Sequence, residues 1–313
     1  MTASLLPAPA QVPTRRCSPW TEIGVFLGVV VALTATTTTV AVTQHADVHT
    51  IDSAPPGAQA ALYGQALIPV VAAVLARLVS AGTLRRPGWG FRRTSWRSLG
   101  IAWAWSLGTT VGAGAIVWAT GAGGFRTAGL DAMVPLGLTA LVLPYVLLAI
   151  GEDVGWRGLL VTRLAEVAGP RTVVLAGGLI WSAFHWPLIL LLGGTPTGVD
   201  AWWALVWFTV GTTSLGAVLA SMQLRWGLWP GVLAHAVCNA ALYHVLEPLT
   251  ADTGRTNWFA TETGLVSGLT TLVGAAVFLR FFPLARGANG GTVARSALRA
   301  DDLQVGVRYE DAG

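Results

Sequence analysis

The chain has 313 residues, 53% hydrophobic and only 11% charged, with a mean hydropathy of +0.61. Soluble domains carry roughly 25% charged residues, so this composition excludes an ordinary water-soluble globule and fits a lipid solvent. All 19 basic residues are arginine, for a net charge of +4; they lie between apolar runs rather than on one face, which argues against a nucleic-acid partner.

Along the chain, Arg15 and Arg16 precede the first apolar run, and no small-residue cleavage site follows. That pattern predicts an uncleaved first span rather than a signal peptide. Crossing a hydrocarbon core of roughly 30 Å takes about 20 apolar residues. Such runs occur at 23–42, 59–79, 99–119, 134–150, 172–192, 202–222, 228–246 and 264–282. Turn chemistry separates them, as in Ala54-Pro55-Pro56-Gly57 and Gly193-Gly194-Thr195-Pro196. Backbone polar groups in lipid must be satisfied within their own segment, so the runs are read as helices.

The expected fold class is therefore all-α, a polytopic transmembrane helix bundle of about eight spans. Residues 1–20 form a cytoplasmic tail, 21–130 the N-terminal transmembrane helices, and 131–250 a helix core. Residues 251–284 form the last span and 285–313 a polar cytoplasmic tail. With both termini cytoplasmic, 17 arginines fall on the inner side and two, Arg126 and Arg255, on the outer. This is the bias of a multi-pass protein in a bacterial-type inner membrane. The arginine clusters, including Arg77 and Arg163, are read as topogenic. Trp89, Trp96, Trp202, Trp203, Trp226 and Trp229, near helix ends, are read as an interfacial belt. No internal repeat supports an inverted-repeat transporter. Cys17 and Cys238 are too few and too far apart for a disulfide framework or zinc ribbon.

Ionisable groups at membrane depth are functional hypotheses by default, and three stretches carry them. They are Glu152-Asp153-Val154-Gly155-Trp156-Arg157, Trp181-Ser182-Ala183-Phe184-His185 and His235-Ala236-Val237-Cys238-Asn239. Asp153 and Arg157 are four apart and can pair on one helix face. Glu152, rotated about 100° from Asp153, is free of that pair. Trp181 shares a face with His185, as His235 does with Asn239.

If the fourth helix continues to the break at Ala168-Gly169-Pro170, the fourth and fifth spans form an antiparallel hairpin. Glu152 and His185 are then equally far from the turn, roughly 25 Å at 1.5 Å per residue, and lie side by side within the bilayer. A carboxylate and an imidazole so placed can take a proton from water and later protonate a leaving amine. A second histidine with an asparagine can donate hydrogen bonds to a developing oxyanion. The same groups, Glu152, His185 and His235, are equally suited to ligating a divalent ion such as Zn²⁺.

Together the three stretches resemble the CPBP intramembrane protease family, which includes type II CAAX prenyl endopeptidases and bacteriocin-processing or immunity (Abi-like) proteins. Its motifs are Glu-Glu-x-x-x-Arg, Phe-x-x-x-His and His-x-x-x-Asn or -Asp, and they occur here in that order over residues 152–239. The resemblance implies a membrane-embedded endopeptidase acting on a membrane-associated, hydrophobic or prenylated peptide. Glu152 would activate water with His185 as partner, and His235 and Asn239 would stabilise the oxyanion. Asp153, Arg157 and Trp181 would support the site. Two positions depart from the motifs: Asp153 replaces the second Glu, and Trp181 replaces the Phe. The residues leave a Zn²⁺ enzyme and a metal-free, glutamate-activated water both open.

Other protease classes lack their signatures, with no His-Glu-x-x-His, no Gly-x-Ser-x-Gly and no membrane aspartate pair in a Gly-x-Gly-Asp setting. The rival reading is a non-catalytic membrane protein (an immunity factor, scaffold or small transporter) that keeps the same residues as a buried polar network. Haem or metal handling through His185 and His235 is a third. His45, His49 and His244 are read as loop or helix-end residues, and Cys238 as packing.

Overall fold

The computed structural model describes residues 18–85, 88–127, 130 and 133–284. Arg15, Arg16, Cys17 and the tail from 285 onward lie outside the described residues.

Helix α1, Pro19–Thr43, opens where the Ser18 hydroxyl accepts the Trp20 N–H at 3.3 Å and proline takes the first helical position, where its missing donor costs nothing. Helix α2, Pro56–Ala81, bends at a 3-10 step over Gln65–Leu67, just before Pro69 withholds a backbone donor. It ends at Gly82, whose φ of 66° suits a left-handed C-terminal cap. Helix α3, Trp96–Ala119, is capped by Ser95. Helix α4 runs over Val134–Val167, with a turn near 138–141 and a π-helical stretch at Val154–Val161. Helix α5, Pro170–Leu191, follows after two residues. Helix α6, Ala201–Trp226, starts where the Asp200 carboxylate accepts the N–H groups of Trp202 and Trp203. Helix α7 covers 228–249, with a π-helical stretch at Leu242–Leu246, and α8 covers Leu265–Phe281. Strands β1, Gly124–Phe125, and β2, Thr250–Ala251, pair antiparallel and tie the α3–α4 connection to the end of α7.

Each of the eight apolar runs is thus helical. By length and composition α1 to α6 are long and apolar enough to cross a membrane, while α8 has 17 residues. Helix α7 packs against α3, α4 and α6, and α6 packs against α5, α7 and α8. Close approach of α5 to α6 depends on Gly178: a Cβ there would lie 2.9 Å from the Thr213 Cα. The core gathers Phe26, Trp156, Leu159, Leu160, Val218, Leu219 and Met222. Outward faces carry Val79, Leu143, Leu147 and Phe281, each well exposed, as a lipid-facing surface requires.

Arg77 and Arg163, read as topogenic, also have a structural role that the sequence did not show. Both are buried, at 0% and 3% exposure, around Glu22 at 1%. Arg77 pairs with Glu22, Arg163 reaches the other Glu22 oxygen at 2.7 Å and also pairs with Glu166, and Trp89 covers the Arg77 guanidinium at 4.3 Å. One carboxylate in the first turn of α1 thereby joins α2 and α4. Trp89 lies over a cation, and Trp203 and Trp226 pack on other aromatic rings, whereas Trp96 and Trp202 are exposed as a belt expects.

Removing one partner from a buried charge network strands the others, a loss of about 3–5 kcal/mol. Glu22→Ala is therefore expected to lower the thermal unfolding midpoint of detergent-purified protein sharply, whereas Glu166→Ala, at the exposed edge, should have a small effect. Equal midpoints for wild type and Glu22→Ala would contradict this account.

Candidate active site

The first polar stretch sits where α4 changes geometry. Glu152 and Asp153 close its α-helical part, and the next eight residues, Val154–Val161, are π-helical and all buried. Such wide turns are characteristic of functional positions. Backbone contact holds the segment here, because a Cβ on Gly155 would lie 2.4 Å from the Pro69 carbonyl oxygen on α2. Glycine is what lets α4 press against the kink of α2 beside Asp153.

Asp153 and Arg157 make the expected pair, Nη1 to Oδ1 at 2.7 Å, with the Asp153 side chain fully buried. The Arg157 guanidinium stacks over the Trp181 ring at 3.7 Å, which suits a planar cation with little access to water. The second Asp153 oxygen faces Nδ1 of His235 on α7 at 3.5 Å. Trp181 stands edge-to-face with His235, centroids 5.2 Å apart. One buried tier thus joins α4, α5 and α7.

A second, more accessible tier lies beside it. The Trp181 indole N–H donates to Glu152 Oε2 at 2.8 Å. His185 Nε2 lies 4.0 Å from that same oxygen, and the two side chains are 21% and 12% exposed. His185 Nδ1 is 3.0 Å from the Trp181 carbonyl oxygen. A carbonyl only accepts, so this bond puts a proton on Nδ1 and turns Nε2 toward Glu152. The side-by-side placement expected from the α4–α5 hairpin is met. A separation of 4.0 Å is too long for a direct hydrogen bond and suits a shared intervening group.

Asn239, one turn beyond His235, has no side-chain hydrogen bond among the described residues. It borders a cavity of about 110 Å³ together with Thr109, Thr110, Thr212, Cys238 and Phe208. The Phe208 ring also lies against His185, centroids 5.4 Å apart, and so links the cavity to the Glu152–His185 pair. Cys238, expected as packing, lines this cavity beside the hydroxyls of Ser106 and Thr110. His244, expected at a helix end, contacts the Tyr145 hydroxyl through Nε2 at 3.1 Å.

Sequence reasoning missed Phe208, an apolar residue in an apolar run with no spacing signal. It placed Trp181 in support of the site without its contact: the indole brings a donor that phenylalanine lacks, and that donor reaches Glu152. Glu152, His185 and His235, the donor set left open for a metal, do not converge on one point. Among the described residues no group of three or more His, Cys, Asp or Glu side chains is placed to hold an ion; His235 faces Asp153 rather than joining Glu152 and His185.

The model of the family described as type II CAAX prenyl endopeptidase Rce1-like matches residues 134–241, the stretch that holds all three polar motifs. No curated protein matches the chain.

Replacing Arg157 by Met should cost about 3–5 kcal/mol, since it leaves Asp153 charged and buried. Trp181→Phe, which removes one hydrogen bond to a charged group but keeps an aromatic ring, should cost about 1.5–3 kcal/mol. Thermal unfolding of the two variants checks the order, and a reversed ranking would mean that the ion pair does not hold the site.

Proposed function

We propose that this protein, whose residues 134–241 support its assignment to the CPBP and CAAX-type membrane protease family, is an intramembrane endopeptidase driven by Glu152. Its substrate would be a membrane-associated peptide or protein, hydrophobic or prenylated near the cleaved bond. The observation that carries this reading is the division into two tiers. Asp153 and Arg157 are sealed and neutralise each other, while Glu152 and His185 converge with part of each side chain accessible. Two groups able to exchange a proton with water thus face one another where water can reach them.

In this mechanism the Glu152 carboxylate takes a proton from a water molecule, with His185 Nε2 oriented toward the same oxygen. The water oxygen attacks the scissile carbonyl carbon. The carbonyl oxygen takes the negative charge, held by the Asn239 amide and the His235 imidazole, whose Nδ1 faces Asp153. When the carbon–nitrogen bond breaks, the proton held by Glu152 passes to the leaving amine, directly or by relay through His185 Nε2, so each group returns to its starting state. The steps use only side chains of this chain. Following the arginine bias, we place both termini in the cytoplasm of a bacterial-type inner membrane.

Glu152→Gln keeps the acceptor for Trp181 but cannot take a proton, and His185→Ala removes its partner. Both variants should lose cleavage of hydrophobic and prenylated peptides by detergent-purified protein, by about 10²–10⁴-fold as expected for loss of general base catalysis, with thermal midpoints close to wild type. Asn239→Ala should lose about 10²–10³-fold. Addition of a chelator to wild type should leave the rate unchanged. Full activity in Glu152→Gln sinks the assignment, and a Glu152→Gln protein that no longer folds supports the non-catalytic polar network instead.

A further inference from the structure

The cavity beside Asn239 has a chemical character that the motifs do not account for. It lies among α3, α6, α7 and α8, and Phe208 forms the part of its wall nearest His185. Its lining is rich in hydroxyl groups, from Thr109, Thr110, Thr212, Ser267 and Thr271, in a protein whose other interhelical surfaces are mostly aliphatic. The unbonded amide of Asn239 belongs to the same lining.

Charge completes the picture. Glu262 borders the cavity and is exposed, held by the Tyr243 hydroxyl at 2.5 Å. Leu246, on the same wall, also lines a neighbouring cavity with Glu247 and Asp252. No arginine lines either space, and neither Glu247 nor Glu262 forms an ion pair among the described residues. Arg126 donates to the backbone carbonyls of Glu247 and Thr250 rather than to a carboxylate, and Arg255, in the loop that borders the neighbouring cavity, is exposed and forms no ion pair among the described residues. An uncompensated carboxylate over a hydroxyl-lined space sets up a field that favours cations.

We propose that this cavity is the site's substrate-selecting pocket and takes a polar, positively charged group of the substrate, a lysine or arginine side chain or a free amino terminus. Glu262 attracts the charge, the threonine hydroxyls replace its hydration, and Asn239 marks where the pocket meets the scissile carbonyl. The inference deepens the endopeptidase reading, on which the word substrate rests, but the cavity's charge preference can be measured without any cleavage.

Cys238 lines the pocket and serves as a built-in reporter. In full-length Cys17→Ser protein in detergent, Cys238 would be titrated with a cationic and an anionic methanethiosulfonate of matched size. Each rate would be normalised to that reagent's rate with a free thiol in solution. The normalised cationic rate should exceed the anionic one by on the order of tenfold, the low end of electrostatic focusing in a charged cleft. Glu262→Gln should bring the ratio most of the way to one, and adding Glu152→Gln to the parent should leave the ratio as it was. Equal normalised rates would overturn the pocket. Such a result would leave the test of Glu152 in peptide cleavage untouched. Conversely, a tenfold preference with no Glu152-dependent cleavage would keep the cation-selecting cavity and discard the protease.

Discussion

The constraint on which the rest of this structure depends is the neutralisation of charge away from water. A carboxylate or guanidinium carried into a low-dielectric interior is destabilised by several kcal/mol unless a partner and hydrogen bonds meet it there. Asp153 and Arg157 answer that demand four residues apart on α4. Much of the surrounding architecture follows from their presence. The π-helical stretch lies on the Arg157 side of the pair, Trp181 supplies an aromatic face for the cation, and Gly155 admits the α2 backbone against the segment. The Glu22 network meets the same demand again, fastening α1 and α2 to the far end of α4.

Because Arg157 satisfies Asp153, Glu152 is not needed for neutralisation. Adjacent carboxylates on a helix point about 100° apart, so one can be sealed while the other looks toward an opening. Trp181 connects the two, with its ring under Arg157 and its N–H on Glu152. The support of the site and the site itself are therefore one aromatic side chain thick. That economy explains why a residue of this size stands here: phenylalanine would stack on the cation less strongly and would leave the Glu152 oxygen without that donor.

The parts of the fold legible in the sequence were those set by long-range averages and by helix period. Apolar runs of membrane length located helices α1 to α8. The four-residue spacing of Asp153 and Arg157 fixed their contact, and equal distance from the turn near residue 169 put Glu152 beside His185. What stayed hidden were contacts between segments distant in the chain. Glu22 is an unremarkable acid in the first turn of α1, and only the fold shows that Arg77 and Arg163 converge on it, so these arginines read as topogenic. His235 has no spacing relation to Asp153, eighty-odd residues away, and nothing local distinguishes Phe208 from other apolar residues of α6. Backbone departures were equally silent: no residue in 154–161 announces a π-helix, because the wide turn is imposed by how α4 packs rather than by its own propensities.

The orientation of Glu152 carries the functional argument one step further. Its Oε2 receives the Trp181 N–H and faces His185 Nε2, which leaves Oε1 as the oxygen without an assigned contact. A base held by one oxygen has a fixed direction for the other. In the proposed reaction that direction decides where the attacking water sits, and hence on which side the peptide carbonyl must lie. Asn239 projects from α7 and lines a cavity with Phe208, whose ring lies against His185, so the group proposed to hold the oxyanion and the base proposed to activate the water belong to different helices. Productive geometry is then a property of the α4–α5–α7 packing as a whole. A change in that packing, for example at Gly178 or Gly155, would disturb the reaction without touching a single reacting group.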